Sequence, residues 1–280
     1  MRQKGESMKE FKSFYKTVTA AEGDRCSYNT RLDTYGCGCA HDCSYCYAKS
    51  LLDFRGLWRP DEPSVADINK IRRKLDKVPA GTILRLGGMT DVLQPCEKEY
   101  RVTYETLKLL NERRIGYLIV TKSDLILEYL DVLDKELAHI QITVTSTEPV
   151  RFEKAVSPER RIRAIKELQA LGYDVAIRLS PLIEEYMDFD KLNGLGIEKA
   201  VVEFLRANTW IKKWMPADFS KHTLKSGGYL HLPLEEKIRI LEKIEIPSIT
   251  VCEDVPEHYE YWREHINPNK ADCCNLRRNG

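Results

Sequence analysis

From about residue 64 onward, short runs of aliphatic and β-branched residues alternate with longer segments of helical period. Thr82-Ile83-Leu84-Arg85-Leu86, Gly116-Tyr117-Leu118-Ile119-Val120, Ile140-Gln141-Ile142-Thr143-Val144, Val175-Ala176-Ile177-Arg178-Leu179, Ala200-Val201-Val202-Glu203-Phe204-Leu205 and Ser248-Ile249-Thr250-Val251 read as strands. Such near-continuous apolar runs suit strands buried on both faces. Between them the pattern predicts helices. Ser64 caps one that puts Val65, Ile68, Ile71 and Leu75 on one face. Others cover 98–114, 125–137, 188–195 and 234–244. Ser157 and Pro158 open a further helix, as cap and first helical residue, with Ile162, Ile165 and Leu168 facing inward. One more strand is expected within 27–35. The polar stretch 210–231 reads as a long loop or lid over the site, with Gly227-Gly228 as its hinge.

Strands alternating with helices imply right-handed βαβ units and a parallel sheet. Six or seven units predict an α/β fold of the partial TIM-barrel, (β/α)6 type, open rather than closed by eight strands. A doubly wound sheet is the alternative, but no G-x-G-x-x-G follows a strand. The expected division is an N-terminal extension (1–26), a barrel core (27–206) and a C-terminal lid and cysteine-containing extension (207–280).

Charge changes this picture little. The 280 residues carry 44 basic and 43 acidic side chains, so no global field marks a nucleic-acid or membrane partner. The first seven residues lack an apolar signal core, and no 18-residue apolar run occurs. A reducing cytoplasm is the expected location, and nine cysteines, an odd number, are compatible with it.

The chemistry concentrates in Gly36-Cys37-Gly38-Cys39-Ala40-His41-Asp42-Cys43-Ser44-Tyr45-Cys46-Tyr47. Cys39, Cys43 and Cys46 lie close enough for one loop to wrap three corners of a cubane iron–sulfur cluster. Three thiolates leave one iron open to a substrate or cofactor. A zinc ribbon would need a second C-x2-C pair, which the chain lacks. Cys37 is an alternative ligand with a poorer spacing. Polar groups also recur where the predicted strands end: Gly87-Gly88-Met89-Thr90-Asp91, Thr121-Lys122-Ser123-Asp124, Thr145-Ser146-Thr147-Glu148, Arg178 with Ser180-Pro181, Glu203 near Arg206, and Cys252-Glu253-Asp254. In a barrel these ends meet on one face, where ligands bind.

The C-x3-C-x2-C spacing, with Tyr45 before the last cysteine, resembles the radical S-adenosylmethionine (SAM) superfamily. Cys43-Ser44-Tyr45-Cys46-Tyr47-Ala48, Thr90-Asp91 with Gln94-Pro95, Val120-Thr121-Lys122-Ser123, Ser157-Pro158-Glu159-Arg160-Arg161 and Arg178-Leu179-Ser180-Pro181-Leu182 are similar to its spore photoproduct lyase-like branch. The resemblance implies a [4Fe–4S] cluster whose open iron chelates SAM, reductive cleavage to a 5′-deoxyadenosyl radical, and abstraction of a substrate hydrogen. It places the SAM amine near Gly87, Gly88 and Asp91, the SAM carboxylate near Lys122 or Arg178, and the ribose near Ser146 or Thr147. It also implies a one-electron donor such as flavodoxin or ferredoxin. The branch is named for a lyase that splits thymine dimers in DNA, using a cysteine beside the second strand's end as hydrogen donor. Gly88 stands there in this chain, and Cys96, eight residues on, is the candidate substitute. Nucleic-acid modification or repair is the nearest substrate class; a peptide or small molecule is the alternative, as is a non-catalytic zinc or iron–sulfur protein. Arg72-Arg73-Lys74, Arg113-Arg114, Lys212-Lys213 and Arg277-Arg278, with Trp210 and Trp214, are the local features suited to DNA or RNA.

Cys252, Cys273 and Cys274 form a second set. A helix bearing Tyr259, Tyr261 and Trp262 turns the chain back between them. Three readings stand: a second metal site completed by Cys26, Cys37 or a histidine; a hydrogen-donating Cys252 at a strand end; or buried thiols without chemistry.

Overall fold

The computed structural model describes residues 11–16, 26–267 and 272–277. Most of the predicted N-terminal extension, and Arg278, lie outside the described residues. Strand β1 (Phe14–Lys16) pairs antiparallel with β2 (Thr30–Leu32), and β3 (Tyr35–Gly36) leads into the cysteine loop. The loop ends at helix α1 (Tyr47–Phe54). The helix expected to start at Ser64 starts later. Ser64–Val65 is strand β4, paired back on β3, and the Asp67 carboxylate caps α2 (Ile68–Leu75) by accepting from the Asn69 N–H.

After β5 (Ile83–Leu86), the single helix predicted over 98–114 is broken into α3 (Glu97–Tyr100) and α4 (Val102–Glu112). Arg101 sits between them at φ 50°. The break lets the buried Glu97 carboxylate accept from the N–H groups of Thr103 and Tyr104 and from the hydroxyls of Tyr35 and Tyr129. After β6 (Gly116–Thr121), the predicted helix 125–137 is only a 3₁₀ segment, Asp124–Tyr129. Asp134 turns its carboxylate on the Glu136 N–H, the local competition that favours turns over helix. Then come β7 (Ala138–Thr143), α5 (Pro158–Ala170), β8 (Asp174–Leu182), α6 (Phe189–Asn193) and β9 (Lys199–Phe204). Ser157 caps α5 as expected, and Pro158 occupies its first turn.

The stretch 210–231 is not a long loop. It holds α7 (Thr209–Trp214) and a hairpin of β10 (Leu224–Ser226) and β11 (Tyr229–His231). Gly227 and Gly228, at φ 56° and 82°, form the hairpin's two-residue turn, a geometry that demands glycine, rather than a hinge. Helix α8 (Leu234–Leu241), β12 (Ser248–Val251) and α9 (Pro256–His265) follow.

The main sheet has the order β1-β2-β5-β6-β7-β8-β9-β12 and is parallel from β2 onward. This is the expected open α/β barrel, with β12 as a seventh parallel strand. Strand residues alternate between two environments. Leu84, Leu86, Ile119, Ile140, Ile142, Ile177, Leu179 and Val202 join the helical Leu75, Leu107, Ile165 and Leu168 in the main core. The opposite face is mixed: Arg85, Gln141, Thr143, Arg178, Glu203 and Thr250 lie there beside Leu118, Val120 and Val201.

Residues 272–277 cover part of that face, with Cys273 and Cys274 packed on Leu118. Gln141 donates to the Cys274 carbonyl and Thr250 to the Cys273 carbonyl, both at 2.8 Å. The Arg277 N–H donates to Asp174, which also binds His139 and Lys199. Burial opposes the Asp174 charge, but these donors outweigh it and hold the carboxyl down at about 2 against 3.8. Because folding lowers this pKa, its stabilisation is complete above the unfolded value and fades as pH falls toward 2. Wild type is therefore expected to lose about 1 kcal/mol more stability than Asp174→Asn between pH 5 and pH 3. Urea denaturation of both at the two pH values checks this; equal losses would refute it.

Candidate active site

The cysteine loop is held by its own backbone and by distant side chains. Asp42 N–H bonds to the Cys39 carbonyl and Cys46 N–H to the Cys43 carbonyl, at 3.0 and 3.2 Å. The fully buried Gln94 accepts from the Ala40 N–H and donates to the Gly38 carbonyl. Ser44 and Lys154 tie the loop to segment 152–154 through Ser44 N–H to Phe152 and Lys154 N–H to His41. Cys46 is also the N-cap of α1, its sulfur accepting from the Lys49 N–H at 3.4 Å. A helix N-terminus thus points its unpaired N–H groups toward one of the three sulfurs.

Cys39, Cys43 and Cys46 line one cavity of about 160 Å³. Gly87, Gly88, Asp91, Lys122 and Arg178 line it too, as do Glu203 and Arg206. The structure thus brings together most of the predicted set. Burial pushes the thiols of Cys39 and Cys46 up, and that of Cys43 up to about 12. Cys37 does not line the cavity. It sits at φ 58° in a turn where its carbonyl accepts from Arg59. Three convergent, reduced thiols around one void, under the apolar cover of Tyr45, Phe152, Leu205 and Ile211, fit an iron–sulfur cluster with one open iron.

The other residues hold defined places. Asp91 is satisfied within the protein: it accepts from His41, Thr121, and the N–H groups of Lys122 and Leu93. These bonds, His41 foremost, outweigh burial and keep its carboxyl below the usual value. Asp91 thereby ties the cysteine loop to the ends of β5 and β6. Arg178 donates to Gln141 and Glu203 from a nearly fully buried position. Glu203, despite burial, is held down at about 2 by Arg178, Arg206 and the Ser180 hydroxyl. Lys122 makes no ion pair among the described residues; its ammonium lies 5.4 Å from the Tyr45 ring centroid.

Three predicted residues fall elsewhere. Ser146 lines a neighbouring groove of about 680 Å³ with Thr147, Arg151 and Trp214, its hydroxyl donating to the Glu148 carbonyl. Cys96 leads into α3 and packs against the main core, outside the cavity. Burial, then the Glu97 charge, pushes its thiol up to about 12. Cys252 packs with Cys273 and Cys274, also outside the cavity. Of the basic pairs, Arg113 and Arg114 are engaged with Asp76, Asp134 and Glu136, while Lys212 and Lys213 lie on α7 beside the cysteine loop.

Two buried carboxylates were not anticipated. Asp33 accepts from the N–H groups of Gly88 and Met89 and from Tyr15, shaping the end of β5. Glu153 accepts from Arg161, Tyr45 and Thr145, and Arg161 also donates to the Thr143 carbonyl. Asp33 meets Gly88 and Met89 across 55 and 56 positions, and Glu153 meets Tyr45 across 108, although Arg161 and Thr145 lie only eight positions from Glu153. Gly87 is required by this geometry: it has φ 84°, and a Cβ there would lie 2.7 Å from the Val120 carbonyl oxygen. Gly87→Ala is expected to cost about 2–3 kcal/mol, the scale of backbone strain at functional sites. A melting-temperature shift under 1 °C would refute it.

The Radical SAM superfamily model matches residues 34–192, more than half of the chain. The chain belongs to the radical SAM superfamily and is a radical SAM enzyme. Family membership implies a [4Fe–4S] cluster and SAM. Solved structures of spore photoproduct lyase share its fold. A complex with dinucleoside spore photoproduct has 17% identity and a TM-score of 0.60, covering 80% of this chain and 76% of that one. A mutant with bound AdoMet and the same dinucleoside has 17% identity and a TM-score of 0.62, covering 81% and 78%. A search of curated proteins returned no match. No helix among the described residues is long and apolar enough to cross a membrane.

Proposed function

We propose that this enzyme abstracts hydrogen from a pyrimidine nucleotide in nucleic acid, in a modification or repair reaction. The observation that carries the reading is a groove lined by Ser44, Arg151 and Trp214, whose Ser44 lies between Cys43 and Tyr45 of the cysteine-lined cavity; Lys212 and Lys213 share the Trp214 helix. Aromatic and cationic side chains of this kind stack bases and contact phosphates. The likeness to structures of spore photoproduct lyase with its dinucleoside bound supports the same class.

Cys39, Cys43 and Cys46 would hold the cluster. When bound and reduced, the cluster with SAM supplies a 5′-deoxyadenosyl radical. The chain's own residues bind and shield. The backbone at Gly87 and Gly88 lets a ligand approach closely. Lys122, with no internal ion pair among the described residues, takes the SAM carboxylate. Arg178, already committed to Glu203 and Gln141, orients that wall. Tyr45, Phe152 and Leu205 exclude water. A flavodoxin- or ferredoxin-type donor delivers the electron.

The test is anaerobic reconstitution with iron and sulfide, reduction, and assay of 5′-deoxyadenosine with and without oligonucleotides. Stimulation by DNA or RNA, with binding that weakens steeply with salt, supports the reading. SAM cleavage that no oligonucleotide stimulates would exclude nucleic acid and leave a peptide or small molecule.

A further inference from the structure

Arg206 leaves β9 and enters the wall of the cavity that Cys39, Cys43 and Cys46 line. Three groups hold its guanidinium. Nη1 donates to Asp254, beyond the end of β12. The ring centroid of Tyr229, on β11, lies 4.9 Å from the guanidinium carbon, and that of Tyr47, on α1, lies 5.1 Å from it.

These supports are themselves fixed. Ala207, the next residue, exchanges backbone hydrogen bonds with Leu230 at 2.9 and 2.8 Å, which seats the hairpin beside Arg206. The Tyr47 hydroxyl donates to the Gly88 carbonyl. His231 Nδ1 stands 3.7 Å from Asp254, while its Nε2 faces the Ser226 carbonyl at 3.1 Å. Glu203, the carboxylate on the same strand, is bonded to Arg178 and Ser180. A guanidinium carries five N–H donors, so it can hold a structural carboxylate and a ligand anion together. Stacked on aromatic rings and fixed at one edge, it loses little freedom when it forks onto that anion.

We propose that Arg206 is the specificity residue of the cavity: its guanidinium takes a phosphate of the nucleic-acid substrate and so sets which nucleotide meets the radical. This inference rests on the nucleic-acid reading. Lys122 and Arg206 follow β6 and β9, which β7 and β8 separate, so they stand three strand spacings, or ~14 Å, apart along the sheet. The two cations thus divide the ligands. Lys122, over the Tyr45 ring, takes the one carboxylate of SAM, and Arg206, beside Tyr47 and Tyr229, takes the phosphate of the substrate. A guanidinium matches two phosphate oxygens in a bidentate fork, which an ammonium does not.

The experiment measures binding of a labelled single-stranded oligonucleotide to the reconstituted wild type and Arg206→Ala proteins over a range of salt concentrations. KM values for oligonucleotide and for SAM are read in 5′-deoxyadenosine formation. Arg206→Ala is expected to raise the oligonucleotide Kd and KM by about 10- to 100-fold, the worth of a charge-assisted contact. The slope of log affinity against log salt should shrink by about 0.7, one phosphate on a single strand. A side chain that only shapes the fold would not move that slope. Arg206→Lys keeps the charge and therefore the slope but loses the fork, so its Kd should fall between the two. If Arg206→Ala does not fold, Arg206→Gln is read in its place. Wild-type affinity and slope in the charge-free variant overturn the inference, as does a rise confined to the KM for SAM. Wild type that binds no oligonucleotide would instead end the nucleic-acid reading, and this inference with it.

Discussion

Alanine in place of Cys43 is expected to abolish SAM cleavage while leaving the chain folded. Cys43 is 7% exposed and packs with Tyr45, Phe152, Leu205 and Ile211. Its thiol makes one weak contact, to the His41 carbonyl at 3.7 Å. Losing a small buried sulfur therefore costs little stability, on the order of 1 kcal/mol. The loop's shape rests on Gln94, on its backbone turns and on segment 152–154, none of which needs that sulfur. Chemistry has no such reserve, since two thiolates do not hold a cubane. 5′-Deoxyadenosine formation should fall by at least ~10³-fold, a small part of what enzymes commonly contribute. Retention of more than a tenth of wild-type activity would show that Cys43 is not a ligand, and Cys37 would then need reconsidering.

Glu153→Ala is expected to have the largest effect on stability. Glu153 and Arg161 face each other with side chains 2% and 1% exposed. Burial raises the carboxyl's pKa, but Arg161, then Lys122 and the Tyr45 hydroxyl, outweigh it and hold the group charged. Removing the carboxylate strands a buried guanidinium, which costs about 3–5 kcal/mol. It also frees Tyr45, which sits between Cys43 and Cys46. Glu153→Gln keeps the shape and some hydrogen bonds but not the charge, so its loss should be smaller. Urea midpoints of the three proteins rank the outcomes, and iron content reports on the loop. A Glu153→Ala midpoint equal to that of wild type would show the pair to be dispensable.

The parallel strands could be read from the sequence because both of their faces are covered, which leaves apolar runs that need no partner to be recognised. The three-cysteine loop was readable for a related reason: its chemistry lies within one short segment. What stayed hidden depends on distance. Glu153 reaches Tyr45 across 108 positions, and Asp33 reaches Gly88 across 55. The broken helix at Arg101 follows from Glu97 turning back on Thr103 and Tyr104, a preference that helical periodicity does not register. Ser146 follows β7, yet its hydroxyl donates to the Glu148 carbonyl and it lines the neighbouring groove. Asp91 lines the cavity, but four internal donors claim its oxygens, which composition alone does not show.

The segment over the mixed face also bears on the order of folding. Tyr28 and Asp272 meet across 244 positions, and Gln141 and the Cys274 carbonyl across 133. Closing a flexible loop of about 244 residues costs roughly 5 kcal/mol of chain entropy. Contacts so far apart form after the local βαβ units, whose loops are short. They are also expected to open first. The amides of Cys274 and Arg277, bonded to carboxylates rather than to a strand, should exchange with deuterium through local opening, while those of β6 and β7 wait for global unfolding.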